Sequence, residues 1–161
     1  MPTSRRYRIA ELTPLYATYV AACMRDHDRE EIAPLWDAWD SRVVGLCSVE
    51  YSVPGFAWAV LEVGQPIACY GLSYASAMDT GLWQAWAFGT PRFRRAVPLI
   101  SRHMLSIRHE IARHCHRLQV ISRSGHDIAH DWVQGLGARH EGTLRAYGRD
   151  GSDYELYAWT R

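Results

Sequence analysis

The last third of this 161-residue chain places the tightest constraint on its fold. Leu118 to Ser122 reads as a strand, and Asp127 to Leu136 as a helix stopped by Gly137. Gly142–Tyr147 and Tyr154–Trp159 then read as a closing hairpin whose turn is Arg149-Asp150-Gly151-Ser152. A glycine just past the last helical residue takes the left-handed cap conformation cheaply. Asp-Gly supplies the positive φ values that a tight hairpin turn needs. Strand, helix and hairpin in this order bury their apolar faces only against one another and against further elements. The segment therefore requires a layered α/β or α+β fold.

The earlier residues supply the remaining layers. Tyr7 to Leu12 reads as a first strand, and Thr13-Pro14 as a helix start, with a capping hydroxyl followed by proline at the first helical position. That helix is expected to reach about Met24. Asp28-Arg29-Glu30-Glu31 resembles a capping box, and Ile32, Leu35, Trp36 and Trp39 share one helical face, interrupted by Pro34. Ser41 is expected to cap a short helix to about Tyr51. Ala57–Val63 and Ile67–Leu72 flank Gly64-Gln65-Pro66 as a hairpin, and Gly81–Phe88 is a third run. Pro98 suits the first turn of a long helix to about His114, with Ile100, Met104, Ile107 and Ile111 as its apolar stripe.

Composition narrows the function classes. A hydrophobic fraction of 48% and a net charge of +1 fit a globular chain with no global drive toward nucleic acid. No apolar run is long enough to span a bilayer. Cys23, Cys47, Cys69 and Cys115 show no CxxC spacing and are expected as free thiols. No repeat or linker divides the chain, so one domain over residues 1–161 is expected. All 18 basic residues are arginine, which fits either a coding bias or avoidance of acetylable amines. Seven tryptophans are many for this length, and a surplus at the surface would suit a protein interface.

The element order resembles that of the GNAT acetyltransferase superfamily over nearly the whole chain. The likeness is carried by Pro66-Ile67-Ala68-Cys69-Tyr70-Gly71-Leu72 and by Trp132 through Gly148. It implies a mixed, mostly antiparallel central sheet with helices on both faces. It also implies a loop before the long helix that binds the diphosphate of acetyl-CoA, with the pattern Gln/Arg-x-x-Gly-x-Gly/Ala. Glycines there let backbone amides approach phosphate at a helix N-terminus. Counted from Arg92, the two glycine positions fall on Arg95 and Val97. If acetyl-CoA binds, Arg92, Arg94, Arg95 and His126 are the candidate cofactor residues, the arginines replacing backbone amides with guanidinium groups. The other reading of the three arginines is a solvated basic turn or a contact to a partner.

Many superfamily members also carry Asn at the start of the next helix and a Tyr general acid seven positions later. Those positions are His126 and Val133 here, and valine donates no proton. Glu50, Glu62 and Glu141 are candidate bases whose placement sequence does not fix. His126 and His130 lie four residues apart and could share a helical face as metal ligands; with no third ligand at zincin spacing, capping or surface histidines are expected instead. His109, His114, Cys115 and His116 form a His-rich helix end suited to the helix C-terminus. No catalytic residue and no metal ligand is therefore assigned.

A narrower likeness is to small internal virion proteins of short-tailed bacteriophages, which carry a degenerate form of the same fold. It rests on Trp86-Ala87-Phe88-Gly89-Thr90, Trp132-Val133-Gln134-Gly135-Leu136-Gly137-Ala138 and the closing hairpin. It implies a virion-associated or assembly protein that uses the fold as a binding scaffold without a cofactor. Its partners would be portal or internal-core proteins, or further copies of itself, in the particle and in the host cytoplasm during assembly. Nucleic acid is not expected as the main partner. The alternative is an active acetyl-CoA-dependent N-acetyltransferase with an atypical cofactor loop.

Overall fold

The computed structural model describes residues 6–160. β1 (Tyr7–Glu11) leads into α1 (Pro14–Ala22), α2 (Asp26–Ile32), one 3₁₀ turn (Ala33–Leu35) and α3 (Ser41–Glu50). β2 (Ser52–Glu62), β3 (Gln65–Tyr74) and β4 (Leu82–Gly89) follow. The chain continues through α4 (Phe93–His114), β5 (Arg117–Arg123), α5 (Asp127–Gly135), β6 (Arg139–Leu144) and β7 (Tyr154–Thr160). The seven strands form one sheet in the order β1-β2-β3-β4-β5-β7-β6. Every neighbouring pair is antiparallel except β4 and β5, which run parallel.

Side chains alternate across a strand, and the two faces are covered by different helices. Ala59, Leu61 and Cys69 pack under Val20 of α1 and Val44 of α3. Val60, Ala68 and Tyr70 turn to the other side and meet Phe93, Ala96 and Ile100 of α4. Val133 of α5 packs beside Ala138 and Tyr157 on that second face. The mixed, mostly antiparallel sheet with helices on both faces is thus the architecture the element order requires. Gly45 sets the approach of α3 to α1: a Cβ there would stand 2.7 Å from Thr18 Cα. Gly137 has φ +96°, the left-handed stop read from the sequence.

Several boundaries differ from expectation, each for a local reason. Thr13 caps α1 as read, accepting from the Tyr16 amide at 3.2 Å. α2 ends at Ile32, where Pro34 tightens the chain into the 3₁₀ turn, so Trp36 and Trp39 lie beyond the helix. Asp40, one residue before Ser41, is the cap of α3. β2 starts at Ser52, with its register to β3 shifted between Ser52 and Ala57. α4 starts at Phe93 and holds Pro98 inside the helix; the exposed proline costs one internal bond on the solvent side. β6 and β7 are joined by residues 145–153, longer than a two-residue turn.

The parallel pair matters most. β4 and β5 are paired only over Leu82–Gln84 against Arg117–Gln119. β4 then runs on to Gly89 and β5 to Arg123 without mutual pairing. The two strands splay into a wedge.

Candidate functional site

A cleft of about 650 Å³ fills that wedge. Trp86 and Phe88 from β4, Val120 and Ser122 from β5, Val97 from α4 and Trp132 and Val133 from α5 line one part of it. His27, Glu31 and Trp36 line it from the opposite layer. The cleft therefore passes between the strands from one face of the sheet toward the other. A second cavity of about 350 Å³, lined by Met104, Leu136 and Trp159, shares Trp86, Trp132 and Val133 as walls. Trp132 ties α5 to α4 across this region: its indole N–H donates to Ser101 Oγ at 2.9 Å, and its ring meets Phe93 edge-on at 5.9 Å. Ser122 Oγ is buried in the cleft wall without a hydrogen-bond partner among the described residues.

α2 bridges the open end of the wedge. The Arg25 amide donates to Gly89 O at 2.9 Å. The Gly89 amide donates to the buried Asp28 carboxylate at 2.8 Å. At the other end of α2, the Arg123 guanidinium donates to Glu30 O at 2.6 Å and the Tyr154 hydroxyl donates to Glu31 O. Arg25 pairs with Asp28 at 2.8 Å and lies over the Phe93 ring at 4.2 Å. The short helix is thereby pinned both to the end of β4 and to the β5–β7 side of the sheet.

The candidate arginines separate into two groups. Arg92 and Arg95 turn to Glu62 at the end of β2, with N–O distances of 3.1 and 3.2 Å. Arg6 reaches the same carboxylate at 3.1 Å, and the Tyr7 hydroxyl donates to it at 2.9 Å. These partners, the Tyr7 hydroxyl first and then Arg6 and Arg95, hold the Glu62 carboxyl below the usual carboxylate range despite burial. Of these three, only Arg94 lines the cleft; it is exposed, and among the described residues no side-chain hydrogen bond or ion pair engages it.

The segment expected to cradle a diphosphate is equally committed. Only residues 90–92 separate β4 from α4, so the positions matched to the glycines, Arg95 and Val97, lie in helix rather than loop. Buried Thr90 absorbs the neighbouring amides: Arg92 N–H donates to its Oγ1 at 3.2 Å and Phe93 N–H to its carbonyl at 2.9 Å. The Thr90 amide donates to Ile67 O at 3.0 Å, and the Arg95 amide to Arg92 O at 3.0 Å. Pro91 has no amide hydrogen. A diphosphate approaching here meets no glycine cradle: the Thr90, Arg92, Phe93 and Arg95 amides are bonded within the protein and the Arg92 and Arg95 side chains are tied to Glu62, so this segment lacks the family's backbone cradle for coenzyme A.

His126 stands at the N-cap of α5, and its Nδ1 is 2.8 Å from Glu31 Oε2. Its ring meets His27 edge-on at 3.9 Å. His130 turns away, with Nε2 at 3.1 Å from Arg123 O. His126 is thus joined to two residues of α2 rather than to its helical neighbour, a grouping the sequence hides because the partners lie almost a hundred positions apart. Val133 is buried where the family's acid would stand. Among the candidate bases, Glu62 is enclosed by arginines and Glu141 is paired with Arg117. Glu50 closes α3 and is exposed. The carboxylates that line the cleft are Asp28 and Glu31. Of the His-rich helix end, His116 pairs with Asp79 at 2.8 Å and His114 stacks on Trp83.

No family model and no curated protein sequence matches this chain. Its fold does match solved structures. A GNAT-family acetyltransferase from Bacillus anthracis superposes with a TM-score of 0.68 at 14% identity, covering 97% of this chain and 95% of the other. Ard1 from Thermoplasma volcanium gives 0.69 at 14% identity, covering 96% and 97%. A ribosomal-protein-alanine N-acetyltransferase from Brucella melitensis gives 0.71 at 13% identity, covering 96% and 99%. The chain has the GNAT acetyltransferase fold from end to end.

Proposed function

We propose that this chain uses the GNAT fold as a binding scaffold and does not transfer acetyl groups. The observation that carries this is the clasp of Arg92 and Arg95 on Glu62. Two of the three candidate guanidinium groups are thereby tied to a carboxylate of the chain itself. The spent amides around Thr90 and the valine at position 133 point the same way. The role proposed is that of a virion-associated or assembly protein with portal or internal-core proteins as partners, the role implied by the resemblance read from the sequence. The arginine and aromatic content suits such contacts, because interface hot spots concentrate Trp, Tyr and Arg. Particles purified from an infection and analysed by mass spectrometry test this directly. The chain is expected at a fixed stoichiometry in the particle or in assembly intermediates. Its absence from both, with normal expression, sinks the proposal.

A second reading is favoured by one specific observation, the intact splay of β4 and β5. Beyond Gln84, β4 has no strand partner on its β5 side until Gly89, which is bonded to Arg25 and Asp28, and an amide-bearing ligand arm can hydrogen-bond such an edge. On this reading the chain is an acetyl-CoA-dependent N-acetyltransferase whose cofactor is held by the cleft walls and Arg94 rather than by a glycine loop.

A further inference from the structure

We propose that His27, Glu31 and His126 form a binding site for one divalent transition-metal ion of the zinc type, open toward the cleft. One donor atom from each residue lies within 4.8 Å of the others. His27 and Glu31 are four residues apart on α2 and share one helical face. His126, the N-cap residue of α5, completes the group. Two imidazoles and one carboxylate are a donor set of open zinc sites, which leave a fourth position to water or a ligand. His27 and Glu31 line the cleft, so that fourth position falls there. Among the described residues this is the one such grouping of three donors.

The distances suit an ion after small side-chain rotations. Donors around a tetrahedral zinc with bonds of ~2.1 Å stand about 3.4 Å apart. The 2.8 Å contact between His126 and Glu31 would open slightly, and the third donor would close in. The hydrogen bonds from Arg123 and Tyr154 to the Glu30 and Glu31 carbonyls, and from Gly89 to Asp28, fix α2 against β4, β5 and β7. That backing holds first ligands in place as outer-shell partners do in metal sites. The site does not depend on whether the cleft binds a protein or a thioester.

The test is calorimetric titration of zinc chloride into chelator-treated full-length protein near neutral pH, with cobalt(II) absorption as a second readout. The expected result is one site per chain, a tetrahedral cobalt spectrum without a thiolate charge-transfer band, and a zinc-dependent rise in Tm. His27→Ala and His126→Ala are each expected to abolish the isotherm, and the isosteric Glu31→Gln to weaken it. His114→Ala is expected to leave it unchanged. Absence of saturable binding in the parent overturns the proposal. So does a site that survives both histidine substitutions, or a cobalt spectrum dominated by thiolate, since exposed Cys23 would then be the ligand. Should the alanine variants lose their circular dichroism signal, Glu31→Gln and the parent cobalt spectrum decide the matter.

Discussion

Arg95 and Glu62 meet at 3.2 Å across the gap between α4 and the end of β2, and Arg92 meets the same carboxylate at 3.1 Å. Glu62 is 5% exposed, whereas Arg95 is half-exposed. An acidic side chain thus sits buried beneath the basic turn and draws two guanidinium groups off the cleft. A buried carboxylate ringed by donors is firmly ionised, and removing its charge leaves several cations unmatched.

Glu62→Gln is therefore expected to release Arg92 and Arg95. Three guanidinium groups then lose the one counter-charge they share, so Tm should fall. Inorganic pyrophosphate should raise the variant's Tm by binding the released arginines, and is expected to shift the parent's Tm far less. The pH dependence has a definite sign. The folded Glu62 carboxyl titrates below its ordinary value, so its contribution is present above the unfolded pKa and is lost as pH falls through the folded one. The variant should lack that part of the acid loss in a thermal melt series.

Arg95→Gly with Val97→Gly restores the family's glycines on paper, and it is expected not to create a cofactor site. Both positions lie within α4, where each glycine costs about 1 kcal/mol relative to a good helix former. The Arg95 pair with Glu62 is lost as well. Urea unfolding should show a clear loss of stability, and calorimetry should show no gain in affinity for coenzyme A.

The fold was largely legible because its signals are local. Thr13-Pro14, the stripe from Ile100 to Ile111 and Gly137 fix helix starts, faces and stops through nearest-neighbour chemistry. The start of α4 was misplaced because Pro98 reads as a first-turn residue, while burial of Phe93 and Ala96 against β3 extends the helix backward. Site residues were legible only as candidates. Arg92, Arg94 and Arg95 look equivalent in sequence, and their separation depends on Glu62, thirty residues away on another strand. The meeting of His126 with His27 and Glu31 depends on how α2 spans the wedge. No periodicity reports such a contact.

Asp28→Asn tests whether α2 is clamped to the end of β4. The substitution weakens the charge-assisted bond from the Gly89 amide and unpairs Arg25. The expected cost is about 2 kcal/mol, typical of hydrogen bonds to charged groups. Hydrogen exchange at the Gly89 amide should accelerate more than exchange in β2 or β3. Uniform acceleration across the sheet would mean that α2 has no local clamping role.

Glu155 marks a second acid-sensitive point, at the β6 edge. Its carboxylate accepts from Ser124 Oγ at 2.6 Å, lies 2.6 Å from His140 Nε2 and accepts from Thr143 Oγ1 at 2.9 Å. These contacts, Ser124 first, lower its pKa from 4.5 to about 2. Its contribution should be complete above about pH 4.5 and disappear as pH falls toward about 2. Glu155→Gln should flatten the stability–pH curve over that window.

Calorimetric titration of acetyl-CoA into the parent protein puts the scaffold reading to its most direct test. With Arg92 and Arg95 held by Glu62 and the amides around Thr90 turned inward, no saturable heat is expected at millimolar ligand. A one-to-one isotherm that weakens in Arg94→Ala would contradict the account and establish the cleft as a cofactor site.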